Sequence, residues 1–374
     1  MTERRDRPLR VRRSAHVVVY WRDGQLIIRN YATGSATTAN PLVCALLDLC
    51  GDWQTTDALS GAFTPEAATR IPALIGRLVE RSFLERSDRS PDPRVRAMST
   101  FDNWNPEAGF FHTATKDVRY WPHQGSGRPS RQRPPKPSSH KQYHGVEQIR
   151  LPQARDGEFA RIAMARRTWR RFSKTAMTME ELSTVLGVSA GVQKWAVVEG
   201  NDAPLKTSPS GGARHPIECY AVVRNVEGLK PAVYHYAADR HVLERIGGAV
   251  PIDRIRAYVP QSRYFANASA MVFFTAVFAR QLWRYTYSRA YRAALIEAGH
   301  VCQTFLLTAT SLGLAPYCVM GLADTLIEND LGIDGITESV LYCAGVGRPP
   351  RGTTWAPLPR GTLKIRPNKR LLGR

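Results

Sequence analysis

Residues 164–172, MARRTWRRF, place four arginines within six positions at the end of a predicted helix or in the loop that follows it. Guanidinium groups bind phosphates and anionic rings through paired, charge-assisted hydrogen bonds. The side chains concerned are Arg166, Arg167, Arg170 and Arg171. By themselves they fit a solvated, charged surface better than an anion site, so the interpretation depends on a second signal.

The stretch 207–220, TSPSGGARHPIECY, is that second signal. Pro209 stiffens the chain, and Gly211 and Gly212 lack the Cβ atoms that would keep a flat ligand away from backbone N–H groups. A tight turn before a strand explains the same residues equally well. Two stretches of similar character follow, GLAPYCVMG at 313–321 and GVGRPP at 345–350. Neither has the strand, G-x-G-x-x-G and helix order of a dinucleotide site, so a Rossmann fold is not predicted.

The first 88 residues predict a small winged-helix unit. Two apolar runs around Asp23-Gly24 predict a hairpin, because that dipeptide tolerates the positive φ angles of a tight turn. Apolar residues at helical spacing follow at 41–50, 55–63 and 65–86. This order resembles the PqqD-like modules that recognise leader peptides of ribosomal peptides, in which the leader adds a strand to the sheet edge. A structural or dimerising winged helix fits the pattern equally well.

Two further regions complete the chain. Residues 89–150 are rich in Pro, Ser, Arg and His and predict a linker, although the aromatic stretch 101–117 has enough apolar surface to pack on a folded domain. Residues 151–374 predict an α+β domain, an antiparallel-rich sheet flanked by helices, because short turns join adjacent strands without regular βαβ alternation. It includes a long helix at about 288–312 and an apolar run at 268–279, which is too short for a bilayer and predicts a buried strand.

The composition limits the function classes. The chain has 52 Lys and Arg against 32 Asp and Glu, a formal net charge of +20, which would favour a polyanionic partner. Only nine of these basic residues are lysine, a bias that a GC-rich genome produces, and the arginines are not striped along one helix, so nucleic-acid binding is not predicted. The basic N-terminus lacks an apolar signal core and predicts a cytoplasmic protein with no membrane partner. The six cysteines lack metal-site spacing and predict reduced thiols and no metal.

The chemistry-bearing stretches resemble, as a set, the nitroreductase superfamily of FMN enzymes and within it the SagB-type dehydrogenases, which oxidise azolines in ribosomal peptides. The motifs are RRTWRRF, PSGGARHPIECY, RAYRAALIEAGHVCQTFLLTATSLGLAPY and LYCAGVGRP, in the family's order and spacing. The resemblance implies a nitroreductase-like, FMN-binding fold and an intertwined homodimer with two flavins at the interface. Residues 361–374 would be an arm that embraces the partner, with a frayed basic tail as the alternative.

The resemblance also implies the cofactor contacts. The arginine motif that holds the FMN phosphate and the ribityl or ring oxygens matches Arg166, Arg167, Thr168 and Arg170, with Arg348 as an additional phosphate ligand. The segment that lies along the flavin ring, usually contributed by the partner subunit, matches Pro209, Ser210, Gly211, Gly212 and Ala213. The turn whose backbone amide faces flavin N5 matches Pro316, Tyr317, Cys318 and Val319.

The substrate chemistry depends on the stretch 283–292, WRYTYSRAYR. SagB-type azoline oxidases carry a Lys-Tyr pair there, and this sequence has Arg284 and Tyr285. Arginine stays protonated in proteins, so Arg284 can only anchor an anion or favour the phenolate of a neighbour. Tyr285 is the candidate base, with Tyr287 and Tyr291 as alternatives, while packing at an interface explains three tyrosines equally well.

The predicted function is an FMN-dependent oxidase of thiazolines or oxazolines in a ribosomal precursor peptide, with dioxygen as the reoxidant and a cyclodehydratase complex as a further partner. One alternative is an NAD(P)H-dependent FMN reductase of nitro, quinone or dehydroamino-acid groups. Another is an inactive scaffold or binding subunit of a peptide-modifying complex. His215 and His300 are predicted to be structural, and Glu297 is predicted to pair with an arginine.

Overall fold

The structure is a computed structural model, and it describes residues 8–118, 137–198 and 200–353. The chain divides into two compact units. The first consists of Met1–Lys116 and Phe278–Tyr291, and the second of Asp117–Val277 and Arg292–Arg374. A segment from the later part of the sequence therefore belongs to the unit that the first third of the chain builds.

The first unit contains short strands and helices. Its strands are β1 (Arg10–Arg13), β2 (Val17–Arg22), β3 (Gln25–Asn30), β4 (Ala36–Thr38), β5 (Gln54–Thr55) and β6 (Leu84–Arg86). Its helices are α1 (Pro41–Leu49), α2 (Thr56–Gly61), α3 (Pro65–Ala68), α4 (Ile71–Glu80), α5 (Pro93–Ala97) and α6 (Pro106–Thr115). The strands form two antiparallel sheets, with the orders β5-β1-β6 and β2-β3-β4.

The local sequence explains these elements. The β2–β3 hairpin turns at Asp23 and Gly24, both with positive φ, so the predicted hairpin is confirmed. Helix α4 buries Ile71, Leu74, Ile75 and Leu78, whose spacing places them on one helix face. That face packs into one hydrophobic core with β1, β3 and α1. The resemblance to PqqD-like modules stays a prediction.

The second unit holds a larger sheet. Its strands are β7 (Val192–Val198), β8 (Asn201–Lys206), β9 (Ile217–Val223), β10 (Ala232–Ala237), β11 (Val242–Arg245), β12 (Ala270–Val277), β13 (Ala315–Val319) and β14 (Glu338–Gly347). Its helices are α7 (Glu158–Ala165), α8 (Met179–Ala190), α9 (Ile252–Tyr258) and α12 (Asp324–Leu331). Helices α10 (Phe278–Arg284) and α11 (Ala290–Ser311) follow β12, and α10 and the first two residues of α11 belong to the first unit.

Six strands of the second unit form one antiparallel sheet with the order β11-β10-β9-β12-β14-β13. Strands β7 and β8 form a separate hairpin. The apolar run predicted as a buried strand is β12, in which seven of eight residues are buried. The predicted α+β class with an antiparallel-rich sheet is confirmed.

Gly345 shows why the last strand needs glycine. It lies opposite Tyr317, and a Cβ atom on Gly345 would clash with the ring and the hydroxyl oxygen of Tyr317. The Tyr317 ring is fully buried and stacks on Phe265 with a centroid distance of 3.9 Å. The first glycine of GVGRPP therefore serves core packing rather than a ligand.

The predicted linker at 89–150 has two different parts. Its beginning contains α5, a 3-10 turn at Met98–Phe101 and α6, and it belongs to the first unit. Its end, 137–150, has no regular secondary structure and is exposed. The stretch between, like the predicted arm at 361–374, lies outside the described residues.

Two negative findings apply to the described part of the chain. Its helices are all too short or too polar to cross a membrane. Within residues 8–118, 137–198 and 200–353, no cluster of three or more His, Cys, Asp or Glu side chains is arranged to hold a metal ion.

Candidate functional site

The arginine segment begins where α7 ends. Arg166 follows the helix with extended rather than helical φ and ψ, and it is half-buried. Arg167 turns back on the chain, and its Nη1 donates to the carbonyl oxygens of Met164 at 2.6 Å and Arg166 at 2.8 Å. Arg170 Nη1 donates to Thr168 O at 3.3 Å. These arginines therefore lie on irregular backbone, and their spacing does not follow helical periodicity.

Backbone hydrogen bonds fasten this segment to the edge of the large sheet. Trp169 N–H donates to Pro316 O at 2.9 Å, and Ser173 N–H donates to Arg348 O at 2.8 Å. Pro316 lies in β13, and Arg348 follows β14 directly. Three stretches that the sequence singles out, RRTWRRF, GLAPYCVMG and GVGRPP, are thus adjacent in the structure.

The prediction of a turn at Pro316–Val319 is wrong. These residues belong to β13 and pair with β14, with Pro316 opposite Val346. Proline, which has no N–H to donate, is tolerated because β13 is an edge strand. The side chain of Tyr317 is in the core, so only its backbone is available to a ligand. The strand ends at Val319, and the next residue, Met320, is 76% exposed.

Cys318 lies half-buried on β13 beside the arginine segment. Its hydrogen bond with Cys302 lowers the pKa of the thiol to about 6, and a hydrogen bond with Tyr342 and the positive charge of Arg166 act in the same direction, while burial opposes them. The same hydrogen bond raises the pKa of Cys302. The positive charge of Arg166 thus reaches the thiol of Cys318 at this edge of the sheet.

The glycine stretch folds into a 3-10 turn, Gly211–Ala213, with unusual backbone angles. Gly212 has a φ of 59°, Ala213 of 53° and His215 of 42°. Glycine adopts such angles without strain, whereas each of the other two residues costs on the order of 1 kcal/mol. The surrounding contacts therefore have to impose this conformation.

Most backbone donors of this turn already have partners. The contacts are Gly211 N–H to Glu297 Oε1 at 2.9 Å, Ala213 N–H to Ser210 O at 3.1 Å, Arg214 N–H to Gly211 O at 3.2 Å and His215 N–H to Ser210 Oγ at 2.8 Å. The sequence predicts a turn whose N–H groups meet a flat ligand. Of the two glycine amides, that of Gly211 is engaged by Glu297 Oε1, and the assignment of the turn to the cofactor stays a prediction.

Three polar side chains on one face of α11 hold the turn and the residues before it. They are Glu297, His300 and Thr304, at i, i+3 and i+7. Their contacts are Glu297 Oε1 with Gly211 N–H at 2.9 Å, His300 Nδ1 with Pro209 O at 3.4 Å and Thr304 Oγ1 with Ser208 Oγ at 3.1 Å. The carboxylate of Glu297 is almost completely buried, at 5% exposure. The long helix therefore positions the glycine turn.

The Arg348 side chain makes its contacts at the start of α8. Its Nε donates to Ala176 O at 2.7 Å, and its Nη2 lies 2.9 Å from a carboxylate oxygen of Glu181. Glu181 also accepts from Thr178 N–H in the capping box that begins α8. Arg348 thereby connects the end of β14 to this helix start, and this arrangement favours a positioning role over the predicted phosphate contact.

The two predicted catalytic residues belong to the first unit, whereas the predicted cofactor residues belong to the second. Arg284 ends α10 and is exposed, and Tyr285 follows it and is half-buried. Tyr287 is 56% exposed, with its ring 5.8 Å from the ring of Tyr285. Tyr291 is buried, and its hydroxyl lies 3.0 Å from His112 Nδ1. Tyr291 is therefore a core residue rather than an alternative base.

Sequence reasoning missed the anchoring role of Thr304 and Ser208 and the hydrogen bond that Glu297 accepts from Gly211 N–H, while the predicted pairing of Glu297 with an arginine stays a prediction. The available signal was the spacing of Glu297, His300 and Thr304 along an otherwise apolar helix face. Only the fold shows which segment lies opposite that face.

Comparison with known proteins identifies the family. Residues 163–348 match the family described as Nitroreductase family. MJ1384 of Methanocaldococcus jannaschii, which is named as a nitroreductase, is 31% identical over 201 residues, covering 54% of this chain and 96% of that protein. The chain belongs to the nitroreductase family.

Two further relatives are named for peptide processing. The trifolitoxin-processing protein TfxB of Rhizobium leguminosarum bv. trifolii is 33% identical over 148 residues, 38% of this chain and 39% of TfxB. The microcin B17-processing protein McbC of Escherichia coli is 28% identical over 138 residues, 36% of this chain and 50% of McbC. The matches thus span half or less of these two relatives.

Members of the nitroreductase family are FMN oxidoreductases, so FMN is the cofactor of this family. The donors of the candidate site fit it. A phosphate dianion is bound well by guanidinium groups, and Arg166, Arg167 and Arg170 provide three of them within one short segment. Arg166 lies near enough to Cys318 on β13 for its positive charge to lower the pKa of that thiol, so a cationic side chain stands beside this strand.

Proposed function

We propose that this protein is an FMN-dependent oxidoreductase that dehydrogenates thiazolines or oxazolines to azoles in a ribosomally synthesised peptide. Membership of the nitroreductase family supports the flavin chemistry. The similarity to TfxB and McbC, both named as processing proteins, is the observation that carries the choice of a peptide substrate. The reaction belongs in the cytoplasm, where ribosomal peptides are made.

In this proposal the arginine segment holds the anionic end of the cofactor. Arg166, Arg167 and Arg170 contact the phosphate and polar oxygens, and Thr168 adds a hydroxyl donor. The turn from Pro209 to Ala213 lies along the flat ring system, and the backbone of β13 from Pro316 to Val319 borders its reactive edge. The hydrogen bond between Trp169 and Pro316 keeps the arginine segment and β13 in register.

Oxidation of an azoline removes a hydride from one ring carbon and a proton from its neighbour. When bound, FMN would accept the hydride, and dioxygen would reoxidise it to yield hydrogen peroxide. The protein must remove the proton, and Tyr285 is the proposed base. Arg284 stays protonated and cannot take that proton, so in this proposal it anchors an anionic group of the substrate.

A reductase that uses NAD(P)H is the second candidate, favoured by the match to MJ1384, which covers 96% of that protein. Mixing under anaerobic conditions separates the two functions. Bleaching of the flavin by a thiazoline peptide supports the oxidase, and bleaching by NADPH alone supports the reductase. Purified protein that stays colourless after soaking with FMN would support an inert scaffold.

The first unit offers a surface for the precursor peptide. Strand β2 is an edge of its sheet, and it exposes Val19 to 51% and Trp21 to 73%. A groove of about 610 Å³ beside it is lined by Val17 and Val19 of β2, by residues of α1 and by Arg12 and Arg13. An extended leader peptide can pair with such an edge and place alternate apolar side chains in the groove. We include leader binding at β2 in the proposal.

The proposal also includes a homodimer and transient association with a cyclodehydratase that supplies the azoline. Helix α11 exposes Leu295 to 40% and Ile296 to 58% beside the face that anchors the glycine turn. A second copy that covers these side chains would bury apolar surface next to the cofactor segment.

Replacing Arg166 or Arg170 with alanine tests the cofactor assignment. Each change removes charge-assisted hydrogen bonds to an anionic ligand, so FMN affinity should fall by roughly tenfold to a hundredfold. The measurement is the ratio of flavin absorbance to protein and the Kd of FMN added to apoprotein. Arg171→Ala is the matched control, because Arg171 is an exposed arginine of the same segment that the proposal leaves without a cofactor contact. Stoichiometric FMN in both variants would contradict the assignment.

A further inference from the structure

The segment that carries Arg284 and Tyr285 is held by residues far away in the sequence. Trp104 Nε1 donates to the carbonyl oxygen of Tyr285 at 3.0 Å, and Asn105 N–H donates to Ser288 Oγ at 2.6 Å. Helix α10 ends at Arg284, so the carbonyl of Tyr285 lies beyond the helical hydrogen bonds and depends on a partner from elsewhere. The buried indole N–H of Trp104 supplies that partner.

On α6, which begins just after Asn105, His112 holds the other end of the same segment. Its Nδ1 lies 3.0 Å from the hydroxyl of Tyr291, and the side chain is 2% exposed. The His112 ring stacks on Phe101 at a centroid distance of 5.6 Å and meets Phe278 edge-on at 5.2 Å. A fixed imidazole therefore holds the first turn of α11, because aromatic neighbours restrict its ring on both sides.

Aromatic packing closes the space between these contacts. The Trp104 ring is perpendicular to that of Tyr291 at 6.0 Å, and the Tyr291 ring stacks on Phe278 at 5.5 Å. Trp104 is 4% exposed. Gly109 brings α6 close to its neighbours, since a Cβ atom there would stand 2.8 Å from the Met98 side chain. The contact is thus a packed interface rather than isolated hydrogen bonds.

We infer that Trp104, Asn105 and His112 form a clamp that positions Arg284 and Tyr285 for the reaction. This inference rests on the proposed role of Tyr285. A base has to be held within a fraction of an ångström of its productive place, and the residues 285–289 form an irregular connection between α10 and α11 that cannot do this alone. The aromatic stretch 101–117, which the sequence predicts to pack on a folded domain, thereby becomes a positioning element for Tyr285.

Trp104→Phe in the full-length protein tests the clamp. The change keeps an aromatic ring and deletes the N–H donor to Tyr285. Hydrogen exchange of peptic fragments covering 281–291 should become about tenfold faster, the size of one lost hydrogen bond. The FMN content should stay at the wild-type level, because Trp104 belongs to the first unit and the predicted cofactor residues to the second. With a thiazoline peptide, kcat should fall at least tenfold while KM changes little.

Trp195→Phe is the control, because Trp195 lies on β7 and is 55% exposed. His112→Asn is a second variant, since its side-chain amide keeps a polar partner for Tyr291, and it should lose less activity than His112→Phe. Wild-type exchange rates at 281–291 in Trp104→Phe would overturn the inference. Faster exchange with unchanged kcat would overturn it as well.

A failure of the proposed function can be distinguished from a failure of the clamp. If the wild-type protein does not turn over the azoline peptide, the same kcat comparison is made with NADPH oxidation. If neither reaction occurs, both the proposed function and the catalytic purpose of the clamp are wrong, whatever the exchange rates show.

Discussion

Among single side chains, that of Glu297 has the clearest effect on the geometry of the candidate site. Its buried carboxylate accepts from Gly211 N–H at 2.9 Å, inside a turn in which Ala213 and His215 have positive φ. A carboxylate accepts hydrogen bonds and donates none, so it suits a position that has to bind a backbone N–H group. Glu297 is thus a positioning residue in the proposed flavin site, while the arginines supply the attraction for the anion.

Replacing Glu297 with alanine should release the glycine turn. The loss of a hydrogen bond to a charged acceptor costs about 1.5–3 kcal/mol, so FMN affinity should fall by roughly tenfold to a hundredfold. Glu297→Gln is the matched control, because its carbonyl oxygen still accepts from Gly211 and most of the affinity should remain. Titration of apoprotein with FMN measures both variants, and equal Kd values for wild type and Glu297→Ala would reject this role.

At the scale of secondary-structure elements, one histidine and two carboxylates connect β9, β10 and β11 at one edge of the large sheet. His235 on β10 lies between Glu218 on β9, at 3.0 Å, and Glu244 on β11, at 2.8 Å. The hydrogen bond to Glu218, followed by that to Glu244, raises the pKa of His235 to about 8, although burial opposes the change. A protonated imidazole thereby joins three neighbouring strands.

This arrangement predicts a pH-dependent free energy of unfolding. Because the pKa of His235 is raised in the folded protein, to about 8 from 6.5, its contribution is fully present below pH 6.5 and is lost as the pH rises through 8. The contribution should be about 1–2 kcal/mol, since one pKa unit corresponds to about 1.4 kcal/mol.

His235→Gln should flatten the dependence of stability on pH between 6 and 9. Urea unfolding of both proteins at several pH values measures this difference. His241→Gln is the control, because His241 hydrogen-bonds Ser183 and Tyr236 rather than two carboxylates. If wild type and His235→Gln lose stability in parallel over that range, the strand-joining role is wrong.

At the scale of the whole molecule, the compact units do not follow the order of the chain. The nitroreductase match begins at residue 163 and ends at 348, yet Phe278–Tyr291 inside it belongs to the first unit. The proposed peptide-binding unit and the segment with Tyr285 are therefore one folded body. A conformational change in the first unit, such as one on peptide binding, can therefore reach Tyr285 within the same compact unit.

The proposed homodimer has a specific test on α11. Ile296→Arg places a charge on a side chain that is 58% exposed, and burying that charge in an interface would weaken self-association at least tenfold. Light scattering should give twice the monomer mass for the wild type and the monomer mass for the variant. Val197→Arg on β7, where the valine is 74% exposed, should remain a dimer. An Ile296→Arg protein that stays dimeric would exclude this face of α11.

The sequence by itself determined the local features of this protein, because spacing and turn chemistry act between near neighbours. It predicted the Asp23-Gly24 hairpin, the buried strand β12, the long helix α11 and the α+β class, and its motifs predicted the family. The arginine segment became a predicted anion site only together with the glycine stretch and the family resemblance, and that assignment stays a prediction.

Only the tertiary structure decided how these elements meet. Pairing with β14 made Pro316–Val319 an edge strand, and the contact with Glu181 engaged Arg348. Hydrogen bonds from Trp104 and His112 joined the aromatic stretch 101–117 to Tyr285 and Tyr291. Each of these contacts joins residues far apart in the chain. Their partners are chosen by burial and by the need to satisfy buried polar groups, which no local pattern encodes.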